Sequence, residues 1–304
     1  MGKGVTPDDC RFLKTERFQG YNVYNVYFDS IGEVEHFLNA NPPVNTDVFT
    51  SQMSLIAREE FAGPSLDKAI AYCVGGYDAD YLKFLQMSGQ LQNVNTQTFT
   101  SRKLEKSFVG HRPNVPAFVA GEPKNMYRTA RAVEKKVVNV FMQVTYDRNT
   151  SEAQIMHRGI LTLNLIRLLE LNNYIVNFKV FELSSVRNEV FVCEVALKRP
   201  GEKTDPRKCY YPMCGKAFVR RVLMRIKESM PFRENWHMSY GMVTLENFTK
   251  KILNVGEKDI YIGTPKEMGI GGEDLFADAD NFIAKAGLSG KIVVPHYRQS
   301  GENS

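Results

Sequence analysis

No stretch of this 304-residue chain approaches the roughly 18 uninterrupted apolar residues of a membrane span. The richest segment, Ile160 to Leu171, is broken by Thr162, Asn164, Arg167 and Glu170. The N-terminus reads Met-Gly-Lys-Gly-Val-Thr-Pro-Asp-Asp, which lacks the apolar core of a secretory signal. Cysteine is scarce, odd in number and widely spaced: Cys10, Cys73, Cys193, Cys209 and Cys214. That excludes a disulfide framework and fits reduced thiols. Cys209 and Cys214 are too far apart for C-x-x-C, and only His237 lies near them in sequence. The common catalytic signatures are missing too. There is no G-x-G-x-x-G, no G-x-x-x-x-G-K-[ST], no G-x-S-x-G and no H-E-x-x-H. The five histidines are scattered along the chain.

What is present suits a folded core: 43% hydrophobic and 24% charged residues. Charge is uneven. Counting Lys and Arg against Asp and Glu, residues 1–120 carry −2, residues 121–227 carry +10 and residues 228–304 carry −3. One basic segment therefore accounts for the net +5. Such asymmetry marks either a surface for an acidic partner or a solvated face.

In the N-terminal third, Tyr21 to Phe28 suits a strand, and Ile31 to Leu38 a short helix capped by Ser30. A helix starts at Ser65 and ends at Gly75-Gly76. Another starts near Asp78 and stops near Gly89. Gly110 to Met126, with Pro113, Pro116 and Pro123, reads as an extended connector.

From Val137 the pattern sharpens. Val137 to Tyr146 is a run without alternation, as in a strand covered on both faces. The polar turn 147–151 follows, and Ser151 or Thr150 can cap a helix over 152–171. That helix is apolar around most of its circumference. Tyr174 to Leu183 is the next strand, so the unit is β-α-β with a right-handed crossover. Ser184 to Asn188 permits only a hairpin, which makes Glu189 to Lys198 antiparallel. Helices are expected over 214–229, 245–253 and 272–286, and strands over 259–263 and 291–297.

The fold class is therefore α/β. A doubly wound, mostly parallel, Rossmann-like sheet with one antiparallel edge hairpin is expected, with a smaller N-terminal α+β segment. The expected divisions are 1–109, a connector 110–134, the α/β domain 135–298 and a frayed tail 299–304.

Ligands of open α/β sheets bind beyond the carboxyl ends of the strands. Asp147, Asn149 and Ser151 stand there at alternate positions and offer oxygens to a hard cation such as Mg²⁺ or Ca²⁺. The bland reading is that they only turn the chain and cap the helix. The element order, hairpin and turn resemble a von Willebrand factor A-type domain, whose metal turn is D-x-S-x-S. Asp147-x-Asn149-x-Ser151 is similar, with Asn in place of the middle Ser. The resemblance implies two further donors, a Thr from a later loop and an Asp after the fourth strand. Ser239 and Thr264 stand in those places, so the second carboxylate is missing. Phe108-Val-Gly-His-Arg-Pro-Asn-Val-Pro116 and Gly121-Glu-Pro-Lys-Asn-Met126 resemble an uncharacterised family of tailed phages and mobile elements. That implies a setting in the cytoplasm of a bacterial host.

The leading expectation is a non-enzymatic binding protein. It engages a protein partner at the carboxyl rim of its sheet, with a weakly held Mg²⁺ or Ca²⁺ as the only cofactor considered and no membrane. The alternative is nucleic-acid binding through Lys198, Arg199 and Lys208 on the loop and Arg220, Arg221 and Arg225 on one helix face. Neighbouring aromatic residues would stack on bases.

Overall fold

The computed structural model describes residues 13–40, 59–76, 79–95, 104–129, 136–147, 149–229 and 244–287. In chain order the elements are β1 (Leu13–Phe18), β2 (Tyr21–Phe28), α1 (Ile31–Ala40), α2 (Glu59–Ala62), α3 (Leu66–Gly75), α4 (Tyr81–Asn95), β3 (Leu104–Ser107), β4 (Arg112–Pro113), α5 (Val115–Val119) and β5 (Met126–Thr129). There follow β6 (Lys136–Gln143), α6 (Glu152–Leu171), β7 (Tyr174–Val186), β8 (Glu189–Lys198), α7 (Pro206–Cys214), a π-helical stretch (Phe218–Leu223), α8 (Met224–Glu228), α9 (Glu246–Ile252), β9 (Ile260–Ile262) and α10 (Leu275–Lys285). The strand expected over 291–297 and the tail 299–304 lie outside the described residues, as does Ser239.

The architecture is α/β, built on a six-stranded mixed sheet of order β1-β2-β8-β7-β6-β9. β6 pairs in parallel with β7 and with β9, and β2 with β8. The β1/β2 and β7/β8 pairs are antiparallel. The expected β-α-β unit is present as β6, α6 and β7. The expected edge hairpin is not at the edge. β8 is paired on both sides, and its run Val190–Val195 is almost entirely buried. An apolar run of that kind needs cover on both faces and partners on both flanks. β2 supplies the missing partner in register from Asn22↔Glu189 to Phe28↔Val195, and β1 becomes the outer strand. Strands from before residue 30 thus belong to the same sheet as those after residue 136.

The two faces are unequally covered. The larger core packs α1, α3, α4, α6, α7, α8 and α10 against Val138, Val140, Met142, Val176, Phe178 and Val180. The other face presents Val23, Phe141, Phe181, Leu183, Val190, Val192 and Tyr261, covered by Phe248 and Ile252 of α9. Each fully buried Leu, Ile or Phe is worth about 1.5–3 kcal/mol, which makes α6 the largest contributor to the first core. Its register is set by a capping box. Ser151 Oγ accepts from the Gln154 amide at 3.2 Å, and Gln154 Oε1 accepts from the Ser151 amide at 2.9 Å. α6 packs closely on α7 at Gly159, where any Cβ would collide with Cys214 Sγ.

Several boundaries moved. α4 continues past Gly89 to Asn95. The helix expected over 214–229 divides into the end of α7, the π-helical stretch and α8. Within the stretch read as a connector, β3, β5 and β4 form a small antiparallel sheet in that order. Asn114 Oδ1 caps α5 by accepting from the Ala117 amide, and Pro116 sits in its first turn, where no N–H is needed.

Candidate binding cleft at the sheet rim

The chain leaves β6 through α6 to β7 on one flank and later returns to β9 on the other. Strand order therefore reverses between β6 and β9, and a crevice is expected beyond their carboxyl ends. A cleft of about 650 Å³ lies there. Asp147, Asn149 and Thr150 form one wall, and Lys266 with Gly269–Gly271 the other, with Gln154 between them.

Both walls are pinned by hydrogen bonds. The Thr150 amide donates to the Asp147 carbonyl at 3.0 Å, closing the turn after β6. Gln154 Nε2 donates to the Ile270 carbonyl at 2.9 Å and joins the walls. After β9, Thr264 and Glu267 form a second reciprocal cap. The Thr264 amide donates to Glu267 Oε2 at 2.7 Å, and the Glu267 amide to Thr264 Oγ1 at 3.3 Å. The Asp278 carboxylate accepts from the Gly271 and Gly272 amides at 2.7 and 2.9 Å and meets His157 Nδ1 at 2.7 Å. Gly272 has φ +87°, and a Cβ there would press on the Gln154 backbone, so this loop needs glycine.

Under the floor lies Arg158, fully buried on α6. Its Nη1 donates to the Gln143 carbonyl at 2.8 Å and the Gly263 carbonyl at 3.1 Å, tying together the ends of β6 and β9. Nε and Nη2 have no hydrogen-bond partner among the described residues, and burial lowers the guanidinium to about 10. Farther along the rim, Lys227 Nζ donates to Ser184 Oγ at 2.6 Å and stands 3.8 Å from Glu182 Oε1. Burial lowers Lys227 to about 8 and raises Glu182.

Of the five residues expected around a cation, Asp147 and Asn149 reach the cleft, are exposed and have no side-chain partner among the described residues. Ser151 is exposed, and its hydroxyl is the helix cap. Thr264 is buried and its hydroxyl faces the Glu267 amide, while Ser239 lies outside the described residues. Mg²⁺ and Ca²⁺ take six or more oxygens, several of them anionic. One carboxylate and one amide, with an ammonium in the same cleft, do not fit such an ion. Among the described residues no group of three or more His, Cys, Asp or Glu is gathered to hold a metal.

The basic set is scattered by the fold. Lys198 is buried; its Nζ donates to the Val176 carbonyl and pairs with Glu170, each at 3.0 Å. Arg199 is exposed 3.7 Å from Glu202 and, with the exposed Lys208, lines a smaller cleft of about 160 Å³. The Arg220 guanidinium lies 5.3 Å from the centre of the Tyr146 ring. Arg221 Nη2 donates to the Gly63 carbonyl at 3.4 Å, and Arg225 Nη1 to Ser229 Oγ at 3.1 Å. Sequence reasoning missed Lys266 and Arg158. An arginine inside the apolar run of α6 was a legible sign of a buried cation, whereas nothing local distinguishes Lys266.

A family profile described as a domain of unknown function (DUF7192) matches residues 6–290. No curated protein and no solved structure matches the chain.

Proposed function

The chain belongs to the DUF7192 family, and we propose that it is a non-enzymatic binding protein whose protein partner docks across the rim cleft. One observation carries this reading: Asp147 and Lys266, opposite in sign, stand on the two walls of one cleft and, among the described residues, form no salt bridge to each other or to a neighbour. Unpaired charges on a pinned frame are available to a partner presenting the complementary pair, and they set its orientation. The residues lining this cleft include no histidine or cysteine to serve as base or nucleophile. The order β8-β7-β6-β9, with β8 antiparallel, supports a von Willebrand A-like arrangement in which such rims bind ligands. The likeness of residues 108–126 to phage and mobile-element proteins supports that genetic setting.

The test is a photo-crosslinking residue placed at Asn149 and, as control, at the exposed Val137 at the far end of β6. Adducts with a discrete protein from position 149 only, lost on combining Asp147→Ala with Lys266→Ala, are the expected result. Equal adducts at both positions, or adducts indifferent to the two substitutions, would overturn the reading. Calorimetry with Mg²⁺, Ca²⁺ and Mn²⁺ is expected to show no heat that depends on Asp147.

A further inference from the structure

Residues 104–129 expose apolar side chains that the other described residues leave uncovered. Phe108 is 65% exposed and Val109 79% in the turn after β3. Val115, Phe118 and Val119, at i, i+3 and i+4 of α5, are 61%, 68% and 80% exposed. Lys124 Nζ lies 5.7 Å from the centre of the Phe108 ring, which places the segment after α5 beside that turn. Gly110 is required there, because a Cβ would strike the Tyr127 carbonyl. Exposed apolar side chains gathered in one short segment in this way mark an interaction site.

Charge selects the partner. Residues 104–129 hold four Lys and Arg against two Glu. Glu122 is already paired with Lys106 at 2.7 Å, while Arg112 and Lys124 are exposed. Two copies facing each other through this surface would bring like charges together. A single-stranded nucleic acid would satisfy the charge and stack on Phe108 and Phe118, but it offers nothing to Val109, Val115 and Val119. An apolar, soft and negatively charged medium satisfies both features.

We propose that this surface docks peripherally on an anionic lipid bilayer, with Phe108, Val109, Phe118 and Val119 entering the headgroup boundary and Arg112 and Lys124 meeting lipid phosphates. Such a contact needs no spanning segment; among the described residues no helix is long and apolar enough to be one. It is independent of the rim cleft.

Flotation of the full chain with phosphatidylcholine vesicles, with and without about one-third phosphatidylserine, tests this. The expected result is binding to the anionic vesicles only, falling with added salt. Phe108→Ser with Phe118→Ser lowers the bound fraction at least about tenfold, and Arg112→Glu with Lys124→Glu abolishes it. These side chains are exposed, and unchanged unfolding midpoints confirm that the variants fold. No flotation, or binding indifferent to both pairs of substitutions, overturns the proposal. So does binding of a single-stranded oligonucleotide that depends on the two phenylalanines while vesicles are ignored.

Discussion

The cleft and the buried interior use charge in opposite ways. In the cleft, Asp147 and Lys266 are exposed and unpaired among the described residues. In the interior, Arg158, Glu182, Lys198 and Lys227 are almost wholly excluded from water, and they bind strand carbonyls, the Ser184 hydroxyl and charged neighbours. Removing a charge from water costs several kcal/mol unless hydrogen bonds return it. The interior set is therefore retained for what it holds in place, and the cleft set for what it leaves available.

Substitutions can break this contrast. Arg158→Ala strands two carbonyls and opens a cavity, so a loss of about 3–5 kcal/mol in urea unfolding is expected. A neutral effect would place Arg158 outside the frame. Gly159→Ala, one position along α6, forces Cys214 aside, and a loss of about 1–3 kcal/mol is expected in the same measurement.

Titration sharpens the contrast without a large disturbance. Burial raises Glu228 to about 7 against the pull of Arg225, and lowers Lys227 to about 8 despite Glu182. The folded state thus holds a proton on Glu228 that the unfolded state has released above about 4.5. That contribution is fully present below about 4.5 and is lost as pH rises through about 7. Lys227 runs the other way. Its contribution is present above about 10.5 and is lost as pH falls through about 8. The unfolding midpoint should dip between these values, and Glu228→Gln should flatten the acid-side limb. The smallest effect belongs to the cleft. Asp147→Ala and Lys266→Ala should each change stability by less than about 0.5 kcal/mol while removing the crosslinked partner.

Much of the frame was legible in the sequence. The apolar run from Val137, the Ser151 cap and the two strands flanking α6 all report themselves locally. The position of β8 inside the sheet did not, because its second partner lies far upstream and pairing leaves no mark on either segment alone. The basic residues misled for a different reason. Arg220, Arg221 and Arg225 fall on one arc of a wheel drawn at 3.6 residues per turn. The π-helical stretch from Phe218 to Leu223 winds more slowly, so the phase slips and these side chains meet separate neighbours. Lys198 follows an apolar strand and its stem continues that strand inward, which composition alone cannot distinguish from a surface lysine. At the rim, Asp147 and Asn149 were found because turns after parallel strands are where ligands meet α/β sheets. Lys266 arrives from a loop more than a hundred residues later.

The pairing of β2 with β8 also governs the order in which the molecule can assemble. Tyr24 and Glu189 meet although they stand 165 positions apart in the chain. As the polypeptide emerges from a ribosome, its first hairpin finds no docking edge until well over half of the chain has been made. Closure of so long a loop is slow compared with local helix formation. The β1/β2 hairpin can thus join the sheet only after β8 has been made, and β9 joins beside β6 later still.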